Sequence, residues 1–108
     1  MKFEDYHISD QIKRNLSELG FKRPTDIQHR SIPPILKGED VLAIAQTGTG
    51  KTAAFAIPVI DILHTSKAST RTDGIRCLVM APTRELAIQI SEVFKKLAQF
   101  TRVSTFCV

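Results

Sequence analysis

Ala45-Gln46-Thr47-Gly48-Thr49-Gly50-Lys51-Thr52, or AQTGTGKT, is the stretch that decides how this chain folds and what it holds. The short apolar run Val41 to Ala45 leads into it and reads as a buried strand. A helix is predicted to start near Lys51 and run to about His64. Gly48 and Gly50 let the backbone curl tightly, so that its N–H groups point inward at phosphate oxygens. The helix that starts there adds the positive end of its dipole. Lys51 can reach the outer phosphates, and Thr52 offers a hydroxyl to Mg²⁺. The general phosphate-loop pattern opens on glycine; Ala45 stands at that position and is small enough to serve. The plain alternative is a Gly-rich turn joining strand to helix, but turn chemistry alone does not ask for Gly-Lys-Thr at a helix start. Taken by itself, the loop points to a nucleoside triphosphate and not to what is done with it.

Upstream, Ser9 is placed to cap a helix running to about Leu19. Ile12, Leu16 and Leu19 share one face of it and Gly20 suits its stop. Thr25 and Gln28 have the spacing of a capping box, which opens a second helix. Pro33-Pro34 is expected to end or re-aim that helix. Gly38-Glu39-Asp40 reads as a turn.

Downstream, Pro58 is expected to kink the phosphate-loop helix. Thr65 to Gly74 is polar and reads as a surface loop. Ile75 to Ala81 reads as a second strand, with Cys77 packed inside its apolar run. Thr83 caps a helix to about Gln99 that buries Leu86, Ile90, Val93, Phe94 and Leu97. Val103 to Val108 looks like a third strand. Helices followed by alternating strands and helices imply an α/β fold with a parallel sheet flanked by helices.

Composition sets wider limits. A length of 108 residues suggests one domain at most, and 43% apolar with 24% charged residues fits a globular protein. The net charge of +4 suits a polyanionic partner only weakly, because the cations come in short pairs and form no tail. Cys77 and Cys107 are far apart and lack metal-ligand spacing. Neither a signal peptide nor a membrane span is visible, and a cytoplasmic location is expected.

Two further segments narrow the class: GFKRPTDIQ, Gly20 to Gln28, and PTRELA, Pro82 to Ala87. With AQTGTGKT between them, the chain resembles DEAD-box ATP-dependent RNA helicases over essentially its whole length. The three segments look like that family's Q motif (20–28), motif I (45–52) and motif Ia (82–87), in the family's order. Phe3 stands seventeen residues before Gly20, where the family keeps an isolated aromatic. The short lead before Phe3 suggests a bacterial RhlE-type member.

The resemblance implies a RecA-like domain, of which residues 1–108 are the N-terminal portion, with ATP and Mg²⁺ as ligands. It assigns ATP to Phe3, Thr25, Gln28 and the loop Ala45, Gln46, Thr47, Gly48, Thr49, Gly50, Lys51 and Thr52. Lys51 and Thr52 serve the reaction itself, and Thr52 serves the metal, directly or through water. Gln28 would pair with the Hoogsteen edge of adenine through N6 and N7; its alternative is the capping box alone, and the two are compatible. Phe3 would stack on the base; its alternative is a core phenylalanine. Thr83 and Arg84 would touch RNA phosphates, a backbone contact blind to sequence. The alternative for Arg84 is a solvated side chain, although a cation is misplaced at the positive end of a helix.

The resemblance also places the acidic DEAD quartet and a second domain after Val108. The chain on its own is therefore expected to be inactive. The first strand's neighbours are also expected to lie later in the sequence, so that the piece is prone to associate or swap. Two rival classes remain at this stage: a non-catalytic adenine-nucleotide module, or another P-loop enzyme such as a small-molecule kinase.

Overall fold

The computed structural model describes residues 2–44, 49–65, 75–101 and 103–108. A 3₁₀ turn, Phe3–Asp5, is followed by four helices: α1 (Asp10–Glu18), α2 (Asp26–Leu36), α3 (Thr49–Thr65) and α4 (Arg84–Leu97). The α1 helix starts after Ser9, as the sequence suggests, but the Ser9 side chain makes no cap bond and its Oγ is buried without a partner. Its apolar stripe buries Ile12 and Leu16 completely or nearly so. The stop depends on Gly20, whose φ of +83° lies in the left-handed region. There the chain turns back so that the Phe21 N–H donates to the Leu16 carbonyl at 2.8 Å.

The α2 helix corrects one half of an expectation, that Pro33-Pro34 ends it. Pro33 and Pro34 neither end nor divide it; both lie inside, and the helix runs on to Leu36. A proline removes a donor and keeps its acceptor. The carbonyls that lose a partner belong to His29 and Arg30, on exposed residues where water can replace it. The proline carbonyls remain in use: Lys37 N–H donates to both, each at 3.2 Å, as the helix closes.

The α3 helix is the centre of the molecule. Ala53, Ala56, Ile57 and Ile60 are fully buried, and so is Pro58. A helix this apolar around its circumference needs cover on several sides. The α2 and α4 helices supply it, together with the residues around α1. Phe55 of α3 meets Phe94 of α4 with ring centroids 5.8 Å apart. Each fully buried isoleucine or leucine here stabilises the fold by about 1.5–3 kcal/mol. Of the predicted inner face of α4, Phe94 and Leu97 are buried, Ile90 and Val93 pack partly, and Leu86 is half-exposed.

No strand of the expected sheet is present among the described residues. The three runs read as strands instead expose Leu42 (89%), Ile75 (86%) and Phe106 (89%), along with most of their other apolar side chains. The physical reason is that a ladder needs a neighbour to take its N–H and C=O groups, and none of the runs pairs with another. Cys77 is accordingly exposed rather than packed. Ala45 and the predicted surface loop 66–74 lie outside the described residues. Among the described residues, no helix is long and apolar enough to cross a membrane.

Candidate nucleotide and RNA site

The site is built on the capping box. The Thr25 side chain accepts from the Gln28 N–H at 3.4 Å, and Gln28 Oε1 accepts from the Thr25 N–H at 2.9 Å. This reciprocal pair satisfies two donors that a helix start would otherwise leave open. The same amide reaches further: Gln28 Nε2 donates to the Gly50 carbonyl at 3.0 Å, across 22 residues of sequence. Its orientation is fixed by chemistry, because a backbone N–H only donates and a carbonyl only accepts. Gln28 is thus 2% exposed and ties the first turn of α2 to the first turn of α3. A Cβ on Gly50 would sit 3.6 Å from Gln28 Nε2, an ordinary contact.

An amide has four hydrogen-bonding positions, two accepting and two donating. Thr25 and Gly50 take one of each. One accepting and one donating position of the amide are not taken by these bonds. Lys51 and Thr52 follow on α3, both half-buried. Gln46, Thr47 and Gly48 lie outside the described residues. Among the described residues, no group of three or more His, Cys, Asp or Glu side chains is placed to hold a metal ion.

Phe3 is 3% exposed, with its ring 6.0 Å from Tyr6 and 6.1 Å from Phe21 in tilted packing. It sits in the core cluster, the alternative held open for it, and still borders a cavity of about 570 Å³. The Tyr6 hydroxyl is buried with no partner, and its loss of solvent pushes its pKa above 10.0. Thr83 caps α4, its Oγ1 accepting from the Leu86 N–H at 3.1 Å. Arg84 is exposed at that helix start, open to solvent on a different element from Gln28.

Asp61 was not visible as a site residue from sequence. It is 6% exposed on α3, and its Oδ1 accepts from the Ser9 N–H at 2.8 Å. This acid satisfies the Ser9 N–H at the start of α1, a different donor from those a Ser9 side-chain cap would take. It also fastens the segment bearing Phe3 to the helix that starts at the phosphate loop. The signal was an acidic residue interrupting the apolar run of α3, four residues after Ile57 and so on its buried face.

A helix started by a Thr-Gln capping box, with its glutamine on the first turn of a Gly-Lys-Thr helix, defines the class. Residues 25–108 match the DEAD/DEAH box helicase family, and the chain belongs to it. It is 46% identical to the DEAD-box ATP-dependent RNA helicase RhpA of Helicobacter pylori, over 98% of this chain and 20% of that protein. It is 48% identical to the ATP-dependent RNA helicase has1 of Schizosaccharomyces pombe, over 92% of this chain and 17% of that protein. Similarity of the same degree to a bacterial and a fungal protein does not single out the RhlE type. Among solved structures, a DEAD box protein from Methanococcus jannaschii superposes with a TM-score of 0.81 at 38% identity, covering 96% of this chain and 27% of that one. The chain therefore spans about a fifth of the curated relatives' length.

Proposed function

We propose that this chain forms the ATP-gripping front part of an RNA helicase that uses ATP hydrolysis to open or remodel short RNA duplexes. The observation that carries the reading is the Gln28 amide, spent on Thr25 and Gly50 yet keeping the donor and acceptor that match adenine. Gln28 selects the base, the loop 45–52 and Lys51 hold the phosphates, and Thr52 serves Mg²⁺. Magnesium supplies charge neutralisation at the β- and γ-phosphates. Phe3 offers a flat apolar surface next to the base, and Thr83 with Arg84 meets RNA phosphates at the start of α4.

In this reading the runs 41–45, 75–81 and 103–108 become strands of a parallel RecA-like sheet once neighbouring strands cover them. Their exposed Leu42, Ile75 and Phe106 support that, and also favour self-association of the bare chain. The cytoplasm is the compartment that goes with it. Gln28→Ala tests the assignment: ATP binding weakens and rejection of GTP relaxes. An unchanged ATP-to-GTP preference would make the adenine assignment wrong.

A further inference from the structure

The segment before α1 is a strap. Phe3, Tyr6 and Ile8 carry it into the core cluster that also holds Ala56, Ile57 and Ile60 of α3. Apart from the 3₁₀ turn it has no regular structure among the described residues. Apolar burial keeps such a segment close, but it is non-directional and does not set where along the core the segment stands. Hydrogen bonds set that. Among the described residues, two reach from the strap to distant parts of the chain. The Phe3 N–H donates to the Lys22 carbonyl at 3.4 Å, long for such a bond. The Ser9 N–H donates to Asp61 Oδ1 at 2.8 Å, the short distance typical of a carboxylate acceptor. Asp61 is buried, yet no ion pair among the described residues includes it. An apolar side chain would fill this position of α3 without the cost of burying an acid. What the acid adds is a directional tie.

We infer that Asp61 is a positioning residue for the nucleotide base. It touches no phosphate, standing about 15 Å from Lys51 along α3 by the rise of an α-helix. It acts through Ser9: by fixing that end of the strap it sets where Phe3 borders the cavity that residues 21–23 also line. The inference rests on the reading that Phe3 and Gln28 serve the adenine of ATP. Gln28 is tied to the first turn of α3 through Gly50, and the strap is tied to the same helix further along, through Asp61. One helix thus bears Lys51 and Thr52 and registers both groups that meet the base. The part of ATP binding that comes from the base needs Asp61, and the part that comes from the phosphates does not.

Calorimetric titration of the chain with MgATP and with magnesium tripolyphosphate separates the two parts. Asp61→Ala is expected to weaken ATP at least about fivefold, the lower end of what one stacked base contributes, and to leave tripolyphosphate unchanged. Asp61→Asn keeps an oxygen for the Ser9 N–H and regains most of the ATP affinity. The double variant Ser9→Pro, Asp61→Ala removes donor and acceptor together and leaves neither unpaired. Ser9 already has a φ of −65°, the value a proline ring imposes, and its side chain makes no cap bond to lose. This variant keeps the fold, checked by circular dichroism at 222 nm, even if Asp61→Ala alone does not, and it shows the same loss of ATP affinity. Phe3→Leu closes the cycle: in that background Asp61→Ala costs no further ATP affinity. Equal losses for ATP and tripolyphosphate, full ATP affinity in the double variant, or a further loss on Phe3→Leu would each overturn the inference and leave the nucleotide reading standing. If the parent chain binds MgATP and MgGTP alike, the reading itself falls, and the inference with it.

Discussion

Gln28→Ala removes the two bonds that its side chain makes with backbone groups, to the Thr25 N–H at 2.9 Å and to the Gly50 carbonyl at 3.0 Å. A hydrogen bond of this kind contributes about 1 kcal/mol net, so the substitution costs about 2 kcal/mol. Gln28→Glu is the sharper probe. A carboxylate still accepts from Thr25 and keeps the capping box, but it cannot donate to Gly50. At 2% exposure and with one oxygen facing the Gly50 carbonyl, its charge should cost at least as much as alanine, about 2 kcal/mol or more. The assay is urea unfolding followed by circular dichroism at 222 nm, with the parent and both variants at one protein concentration. Alanine within about 0.5 kcal/mol of the parent, the range of an ordinary surface change, would refute the claim that this amide joins α2 to α3. Glutamate as stable as the parent would refute the bond to the Gly50 carbonyl.

Three other perturbations follow from the same geometry. Asp61→Ala strips the Ser9 N–H of a charged acceptor and costs about 1.5–3 kcal/mol in the same urea assay, while Asp61→Asn, which keeps an oxygen there, recovers most of it. Thr83→Ala removes the α4 cap and costs about 1 kcal/mol, and Thr83→Ser restores it. Tyr6 has a folded pKa above its unfolded value of 10.0, so the unfolded chain gives up that proton first. Its stabilising effect is present below pH 10.0 and is lost as pH rises through the folded value. Tyr6→Phe should flatten the fall of stability above that pH, and an unchanged fall would assign it to other groups.

What could be read in the sequence was what neighbouring residues settle among themselves. The Thr25–Gln28 and Thr83–Leu86 caps close over three residues, and Gly20 ends α1 by its own backbone freedom. Those features stand in the structure where the residues put them. The features that escaped are decided at a distance. Asp61 finds Ser9 across 52 residues, and the Gln28–Gly50 bond joins two motifs that sequence reading had treated one at a time. That Pro33 and Pro34 do not end α2 is decided by whether water can reach the carbonyls they leave unpaired. The sheet depends on the same kind of distant partner: an apolar run such as 75–81 becomes a strand only when another segment takes its hydrogen bonds, and among the described residues none does.

The central claim is that these residues grip ATP by its base and its phosphates together. Calorimetric titration of the chain with MgATP and MgGTP, repeated on Lys51→Ala, tests it most directly. ATP is expected to bind at least about tenfold tighter than GTP, the discrimination a bidentate amide supplies, and Lys51→Ala to abolish binding of both. Equal affinity for the two nucleotides, or full ATP binding without Lys51, would contradict it.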